Sequence, residues 1–211
     1  KVNKIIGFGR YEYVSFAGSP LGIFSRFLKA FPVKNKVINL SIKLDDLSKI
    51  NYLRKKAINQ GGILIRSKDD EVDAKIEFDG NLIPVKVRLK GDYVDHLLGH
   101  KWSYRVKVKD DKSFDGMKEF SLQHPRTRLY LNEFIFFKLL DYEEIPNLRY
   151  EFVTLKLNGK NLGTYALEEH FTKFFVERNK YREGPLIKIS EDSIWEEWKK
   201  SKSIDGNITS V

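Results

Sequence analysis

The sequence of 211 residues contains no cysteine. Disulfide bonds and zinc sites with thiolate ligands are therefore excluded, although this absence does not decide in which compartment the chain works. Long hydrophobic runs are also missing. The longest apolar stretches, such as FIFFKLL at 134–140, are far shorter than the roughly 20 residues of a membrane-spanning helix. The glycine-rich pattern GxxxxGK[S/T] does not occur, which excludes the P-loop class of nucleotide-binding proteins.

Positive charge is what the sequence has in excess, since 38 basic and 29 acidic residues give a net charge of +9. Hydrophobic residues make up 41% of the chain, which is typical of a globular rather than a disordered protein. A basic chain favours polyanionic partners such as nucleotides, phosphate-rich polymers, nucleic acid or an anionic membrane; a solvated basic surface is the alternative. The chain begins with Lys1, and we expect it to be a fragment of a longer protein that has lost an N-terminal signal or anchor.

Alternating apolar and polar residues predict strands through the first half of the chain. The run VINLSIKL at 37–44 is the clearest, and the aspartates at 45–46 can cap a helix that follows it. An Asp-Gly pair at 79–80 lies between two alternating runs and predicts a hairpin. Further strands are predicted at 63–67, 73–78, 82–89, 102–109 and 119–124.

The second half combines helices with one strong hairpin signal. A helix is predicted at 126–145, and Asn158–Gly159 predicts a turn between two strands within 150–171. A helix within 171–184, a strand at 185–189 and a helix at 193–200 follow. This order predicts an α+β fold, with a mainly antiparallel sheet and a packed helix preceded by a small strand–helix unit. The predicted organisation is an N-terminal extension at 1–36, a strand–helix–strand unit at 37–78, a main domain at 79–190, and a tail or the start of a further lobe at 191–211.

The loop inside LKGDYVDHLLGHKWSYRVKVK, at 89–109, is unusually rich in functional side chains. One interpretation is a metal site, formed by Asp92, Asp95, His96 and His100. A second is a phosphate cradle, in which Gly91 allows close approach of the backbone to an anion. A third is a turn whose Asp and His side chains act as caps. Cations near the loop favour the phosphate interpretation: Arg88, Lys90, Lys101, Arg105 and Lys107.

The order of chemical groups along the chain matches the small lobe of a protein kinase. Such a lobe needs a lysine on a strand, then a glutamate on a helix, then a hairpin with a polar end. Lys107, Glu133 and the run 168–170 occupy these places in order. For Glu133, an ordinary surface position is the alternative.

Four blocks resemble the CotH kinase family, the atypical kinases related to spore-coat protein H. They are VRLKGD at 87–92, KWSYRVKVK at 101–109, YLNEFIFFKLL at 130–140 and LKLNGKNLGTYALEEHF at 155–171, and the resemblance extends over about 82–190. It implies a kinase-like small lobe, ATP with Mg or Mn as cofactors, and transferase activity toward protein serine or another acceptor. Many relatives are exported, so an extracytoplasmic or cell-envelope location is expected, with a cytoplasmic one as the alternative.

The resemblance also implies roles for individual residues. Lys107 would pair with phosphate as a catalytic residue, with Lys101 and Arg105 as alternatives, and Glu133 would be its ion-pair partner. Cofactor contacts are implied for Gly91, Lys90, Lys101, Arg105 and Glu169, and a metal contact for Asp92.

Two departures from the family pattern limit what this chain is expected to do alone. The family's usual Arg-Gly-Asn is here Lys90-Gly91-Asp92, and an aspartate beside a triphosphate needs a metal or a basic residue to neutralise it. The family's catalytic aspartates lie in a large lobe, which the 21 residues after position 190 are too few to form. We therefore expect this chain to contribute ATP-binding residues for phosphoryl transfer to a protein or polyanionic acceptor. The sequence does not decide whether the chain is an enzyme by itself. The alternative is a non-catalytic basic module that binds a polyanion or a cell-envelope polymer, without sequence-specific nucleic-acid recognition.

Overall fold

The strand at Val37–Ile42 pairs in parallel with the strand at Tyr150–Leu157, and this pairing closes the sheet into a barrel. The computed structural model describes residues 36–59, 62, 64, 67–91, 93–182, 184, 187 and 197. Around the described barrel the strands follow the order β1-β2-β3-β4-β5-β7-β6. They are β1 (Val37–Ile42), β2 (Val72–Phe78), β3 (Asn81–Leu89), β4 (Tyr104–Val108), β5 (Glu119–Gln123), β6 (Tyr150–Leu157) and β7 (Lys160–Glu169).

Two hairpin turns organise the antiparallel part of this barrel. Both central residues of each turn have positive φ angles: 47° and 77° at Asp79–Gly80, and 47° and 80° at Asn158–Gly159. This is the geometry that two-residue hairpin turns require, and both predicted hairpins are confirmed. Asn158 also binds β1, because its side chain accepts from the N–H of Ile42 at 2.8 Å and donates to the carbonyl of Ile42 at 2.9 Å. The second turn therefore holds the strand that closes the barrel.

Alternation along the strands fills the barrel with apolar side chains. In β1, Ile38, Leu40 and Ile42 are buried, as the sequence pattern predicts. In β4, Val106 is fully buried and its neighbour Lys107 is exposed. Removing apolar surface from water stabilises a fold by about 25 cal/mol per Å², so this interior dominates the stability. Charged residues are consequently displayed on the outer wall.

Three α-helices accompany the strands in the described part of the chain. None of them is long and apolar enough to span a membrane. The first buries Ile50 and Ala57, whereas the second has no fully buried residue. They are α1 (Leu44–Asn59), α2 (Asn132–Tyr142) and α3 (Lys173–Arg178).

Aromatic contacts hold α2 on the outer face of β6. The Phe134 ring lies 5.4 Å from the ring of Phe152, and the Phe137 ring is stacked on Tyr150 at 5.5 Å between centroids. Because these contacts are on the outside of the barrel, the opposite side of α2 remains exposed to solvent. The packing nevertheless places the first turn of α2 close to the end of β5.

The predicted α+β fold with a kinase-like small lobe is wrong. The structure is a closed, mixed barrel that is mostly sheet, and β1 and β2 belong to the same ring as the later strands rather than to a preceding unit. The predicted helix at 126–145 begins only at Asn132, because Leu129 and Tyr130 have positive φ angles that interrupt a helix. The fold class was predicted wrongly because the pairing that closes the barrel joins strands that are far apart in the sequence. Periodicity identifies a strand locally, but β1 pairs with a strand more than 100 residues away.

Several predicted elements fall outside the described residues. They include the N-terminal extension up to residue 35, most of the strand at 63–67, and nearly all of the strand at 185–189 and the helix at 193–200. The predicted domain boundaries stay predictions.

The two hydrogen bonds between the Asn158 side chain and Ile42 of β1 can be tested with one pair of substitutions. Asn158→Gly keeps the positive φ available but removes both hydrogen bonds to Ile42, and we expect the free energy of unfolding to fall by about 1–3 kcal/mol. Asp79→Gly is the matched control, since Asp79 has the same φ of 47° at the other turn. Urea unfolding of both variants measures the difference. Equal stabilities would contradict a role of Asn158 in closing the barrel.

Candidate functional site

The outer wall of the barrel carries the lysine that the sequence predicts to be catalytic. Alternation along β4 turns Lys107 away from the core, and its side chain is 58% exposed. Its Nζ lies 3.7 Å from Oε1 of Glu119. Glu133, the predicted partner, is instead ion-paired with Arg128, with 3.1 Å between Oε2 and Nε. The structure therefore gives each of the two predicted catalytic residues a different partner.

A different lysine lies in a shielded position. Lys90 directly follows β3, and its Nζ donates to Oε2 of Glu168 at 2.5 Å and to Oε1 of Gln123 at 3.0 Å. The side chains of Lys90 and Glu168 are only 13% and 15% exposed. Burial lowers the pKa of Lys90, although the carboxylate of Glu168 opposes this effect. These contacts use two of the three N–H groups of the ammonium.

Glu133, in the first turn of α2, lies beside this pair. Burial, together with the nearby carboxylate of Glu168, raises the pKa of Glu133, while Arg128 and Lys90 act in the opposite direction. The cluster therefore contains two cations and two carboxyl groups on the outer wall, next to α2. We call Lys90, Gln123, Arg128, Glu133 and Glu168 the Lys90 cluster.

The Lys90 cluster is suited to contact an anionic group. A charge-assisted hydrogen bond is roughly twice as strong as a neutral one, and partial burial reduces competition from water. Glu168 and Gln123 hold the ammonium of Lys90 in one place. A phosphate oxygen is a suitable acceptor for the remaining N–H, and Arg128 supplies a second positive charge nearby.

The loop after β3 is folded around a buried histidine. His96 is 6% exposed; its Nδ1 is hydrogen-bonded to Oγ of Ser103 at 3.0 Å, and its backbone carbonyl accepts from the N–H of Ser103. The side chain of Asp95 accepts from the N–H of His96. Gly91 has a φ of +108°, and a Cβ there would lie 2.4 Å from the His96 ring. These contacts match the interpretation of the loop as a turn with capping Asp and His side chains.

Helix α1 fixes the outer part of the same loop. The Arg54 guanidinium lies over the Trp102 ring at 4.7 Å and donates to the carbonyl oxygens of Leu97 and Gly99. The indole N–H of Trp102 donates to the carbonyl of Gly99. Within the part of the chain that the structure describes, no group of three or more His, Asp or Glu side chains could hold a metal ion. Asp92 lies outside the described residues.

Two other predicted contacts are dispersed over the wall. Lys101 reaches the other side of the loop, where its Nζ is 3.4 Å from the carbonyl of Thr164. Arg105 donates to Nδ1 of His170 and lies 3.8 Å from Glu119. Lys101 and Arg105 thus have different hydrogen-bond neighbours, but Arg105 is close enough to Lys90 for its positive charge to help lower the pKa of that ammonium.

Glu169 lies at the end of β7, and its side chain is almost fully buried, at 2% exposed. It is ion-paired with Arg149, at 3.3 Å, and with Arg178 of α3, at 2.7 Å. Breaking a buried ion pair is costly because the remaining charge has no compensation. In this structure Glu169 therefore attaches α3 to the end of the barrel.

Sequence reasoning missed two members of the Lys90 cluster, Gln123 and Arg128, and included Glu168 only as part of the run 168–170 at the end of the predicted hairpin. Alternation offered a partial signal, since Glu168 follows the buried Leu167 and must face outward. What the sequence did not show is that β5 pairs with β7, which places Ser121 opposite Glu168 and brings Gln123 within hydrogen-bonding distance of it.

The packing of Gly91 against His96 predicts a large difference between two glycine substitutions. Gly91→Ala forces the His96 ring or the loop to shift, and we expect it to lower the free energy of unfolding by more than about 3 kcal/mol. Gly99→Ala is the control, because its φ is also positive but a Cβ would meet nothing within 4 Å. We expect about 1–2 kcal/mol there from backbone strain alone. Chemical denaturation measures both, and equal losses would overturn the packing argument.

The raised pKa of Glu133 predicts a pH-dependent contribution to stability. Its ordinary value is 4.5, so the folded protein keeps this proton to higher pH than the unfolded chain. The contribution is complete below pH 4.5 and is lost as the pH rises through the folded-state pKa. Glu133→Gln mimics the protonated carboxyl, and its stability relative to the unsubstituted protein should increase between pH 4.5 and 7.

Urea unfolding at a series of pH values checks this expectation. Glu143→Gln, at an exposed position just after α2, controls for the loss of one negative charge. A difference between Glu133→Gln and the unsubstituted protein that does not change with pH would show that Glu133 is not shielded from water.

Comparison with known proteins agrees with the four sequence blocks. Residues 87–208 match the family described as CotH kinase protein. The chain is also 24% identical over 128 residues to the inner spore coat protein H of Bacillus subtilis strain 168, an alignment that covers 59% of this chain and 34% of that protein. The chain thus spans about a third of the length of this curated relative. The resemblance seen in the sequence is confirmed, and the chain belongs to the CotH kinase protein family.

Proposed function

We propose that this chain contributes nucleotide contacts to a CotH-type kinase, and that the Lys90 cluster binds the phosphate groups of ATP. The observation that carries the proposal is the shielded ammonium of Lys90, which Glu168 and Gln123 hold through two of its N–H groups, while no other described residue accepts from the third. Membership of a family described as kinases supports this chemistry.

Lys90 suits this role better than Lys107 for a physical reason. An exposed ion pair such as Lys107–Glu119 is screened by water and typically contributes no more than about 1 kcal/mol. The ammonium of Lys90 is instead partly desolvated, so its interaction with a phosphate is less screened. Catalysis of phosphoryl transfer depends mainly on positioning and electrostatic stabilisation, which a held cation supplies.

The other members of the cluster would position this cation. Glu168 and Gln123 fix the ammonium of Lys90, while Glu133 is ion-paired with Arg128 and keeps that guanidinium beside it. A phosphate entering the cluster would add negative charge near Glu133 and so favour protonation of its carboxyl, whose pKa is already raised by burial. The cluster can therefore accommodate an anion with little net charge repulsion.

ATP-dependent kinases use a divalent metal that neutralises phosphate charge. The residues that the structure describes fit the phosphate part of a nucleotide, but they do not include a group of three side chains that could hold a metal. A protein or polyanionic phosphate acceptor belongs to the same proposal, as does a location in a spore coat or cell envelope, which the name of the Bacillus relative supports.

Calorimetric titration with ATP, in the presence of magnesium or manganese, tests the proposal. We expect Lys90→Ala and Lys90→Gln to weaken binding at least about tenfold, since a charge-assisted hydrogen bond is lost. Lys75→Ala, on the exposed outer face of β2, is the matched control and should bind like the unsubstituted protein. Thermal melts confirm that each variant is folded.

Including Lys107→Ala separates the structural proposal from the sequence prediction. Loss of binding in Lys107→Ala with binding retained in both Lys90 variants would move the phosphate contact to Lys107. Absence of ATP binding by the unsubstituted chain would contradict nucleotide binding and favour the second function class, a basic module that binds a polyanion or cell-envelope polymer.

A further inference from the structure

A second charged region lies on the outer wall, at the edge of the barrel away from the Lys90 cluster. It is an open pocket of about 520 Å³ in which lysines surround one aromatic ring. The pocket reaches β3 at Lys86, which is four residues before Lys90. Four residues of strand correspond to about 13 Å, so the two regions are separated along β3. The lining residues include Glu71, Lys86, Lys107, Lys118, Glu119 and Phe174.

Two like charges face each other in the middle of this pocket. In the register of β3 and β4, Lys86 is directly opposite Lys107. Directly opposed side chains have Cβ atoms about 5 Å apart, and like charges in these positions are destabilising. The pair is exposed, at 47% and 58%. In the same row Asp73 of β2 is opposite Lys86 and Glu119 of β5 is opposite Lys107, which offsets this repulsion. The two lysines remain side by side at the centre of the row, where one anion can contact both.

The carboxylates around the pair leave the lysines available. Glu71 lies 3.7 Å from Lys86 and Glu119 lies 3.7 Å from Lys107. These distances exceed the 3.2 Å upper limit of an ordinary N–H···O hydrogen bond. Neither ion pair includes a hydrogen bond, and no other residue that the structure describes accepts one from Lys86 or Lys107, so an incoming acceptor can use these N–H donors.

The pocket also has an apolar side that a bare ion would not need. The Phe174 ring stands at its edge, with the Nζ of Lys173 at 5.3 Å and that of Lys118 at 6.0 Å from the ring centroid. A ligand with an anionic group attached to a carbon chain would contact both surfaces.

We propose that this pocket binds a phosphate monoester carried by a polypeptide. A phosphorylated side chain has a charge of about −1.5 to −2 at pH 7, so one group can neutralise both ammoniums, whereas a carboxylate would only replace Glu71 or Glu119. The volume exceeds that of a free phosphate and leaves room for neighbouring peptide atoms beside Phe174. The inference rests on residues outside the Lys90 cluster and does not require that ATP binds there.

Fluorescence anisotropy with a labelled phosphoserine peptide, Gly-Gly-pSer-Gly-Gly, tests the proposal directly. We expect the unsubstituted protein to bind it and the serine peptide to bind at least about tenfold more weakly. Lys86→Ala/Lys107→Ala should lower the affinity for the phosphopeptide at least about tenfold. Lys75→Ala/Lys160→Ala removes the same charge from exposed positions on other strands and should leave affinity unchanged within about twofold.

A second measurement separates binding from folding. Lys107→Gln keeps a polar side chain of similar length and removes only an exposed ion pair, so the free protein should melt at nearly the same temperature while losing phosphopeptide binding. This combination separates a binding residue from one whose substitution simply disturbs the fold.

Three results would overturn the proposal. The first is equal binding of the phosphorylated and unphosphorylated peptides. The second is an equal loss of affinity in the two double variants, which would indicate only a general effect of net charge. The third is competition by inorganic phosphate at the same concentration as the phosphopeptide, which would show that the polypeptide contributes nothing to binding.

Discussion

The parallel pairing of β1 with β6 is the constraint on which the rest of the structure depends. It converts a chain of antiparallel neighbours into a ring without free edges, so that each strand has one face in a closed apolar interior. The side chain of Asn158 fixes the end of β1 through both polar groups of Ile42. The Asn-Gly turn therefore contributes to closure as well as to the hairpin, which gives a physical reason for its place in the sequence block at 155–171.

Closure also determines where charge is located. Because the interior accepts apolar side chains, the charged residues of the strands are placed on the outer wall, where they meet across strands in fixed register. The outer wall has two charged regions that differ in how far they are shielded from water. Near α2, Lys90 and Glu168 are shielded and interact strongly. Away from α2, Lys86 and Lys107 remain in water. Shielding suits the first region to hold one ligand group precisely, and exposure suits the second to meet a larger partner.

The loop after β3 shows why dense functional side chains do not by themselves make a site. His96 and Ser103 satisfy each other, Asp95 caps the turn, and Arg54 with Trp102 fixes the outer half. Gly91 is required by the His96 ring, which leaves no space for a Cβ. The polar residues of this loop thus order the segment that ends β3 and begins β4. In doing so they place Lys90, which donates its backbone N–H to the carbonyl of Ser103.

The sequence by itself determined the seven strands of the described barrel, both hairpin turns and the family, because alternation, turn residues and short motifs are local properties of the chain. It also supplied Lys90 and Glu133 as candidates. Only the tertiary structure decided that the sheet is a closed barrel, that Lys90 rather than Lys107 is shielded, and that Glu168 and Gln123 hold it. The physical reason is that pairing between distant strands, and the burial that follows from it, depends on contacts between residues far apart in the chain, which local patterns do not encode.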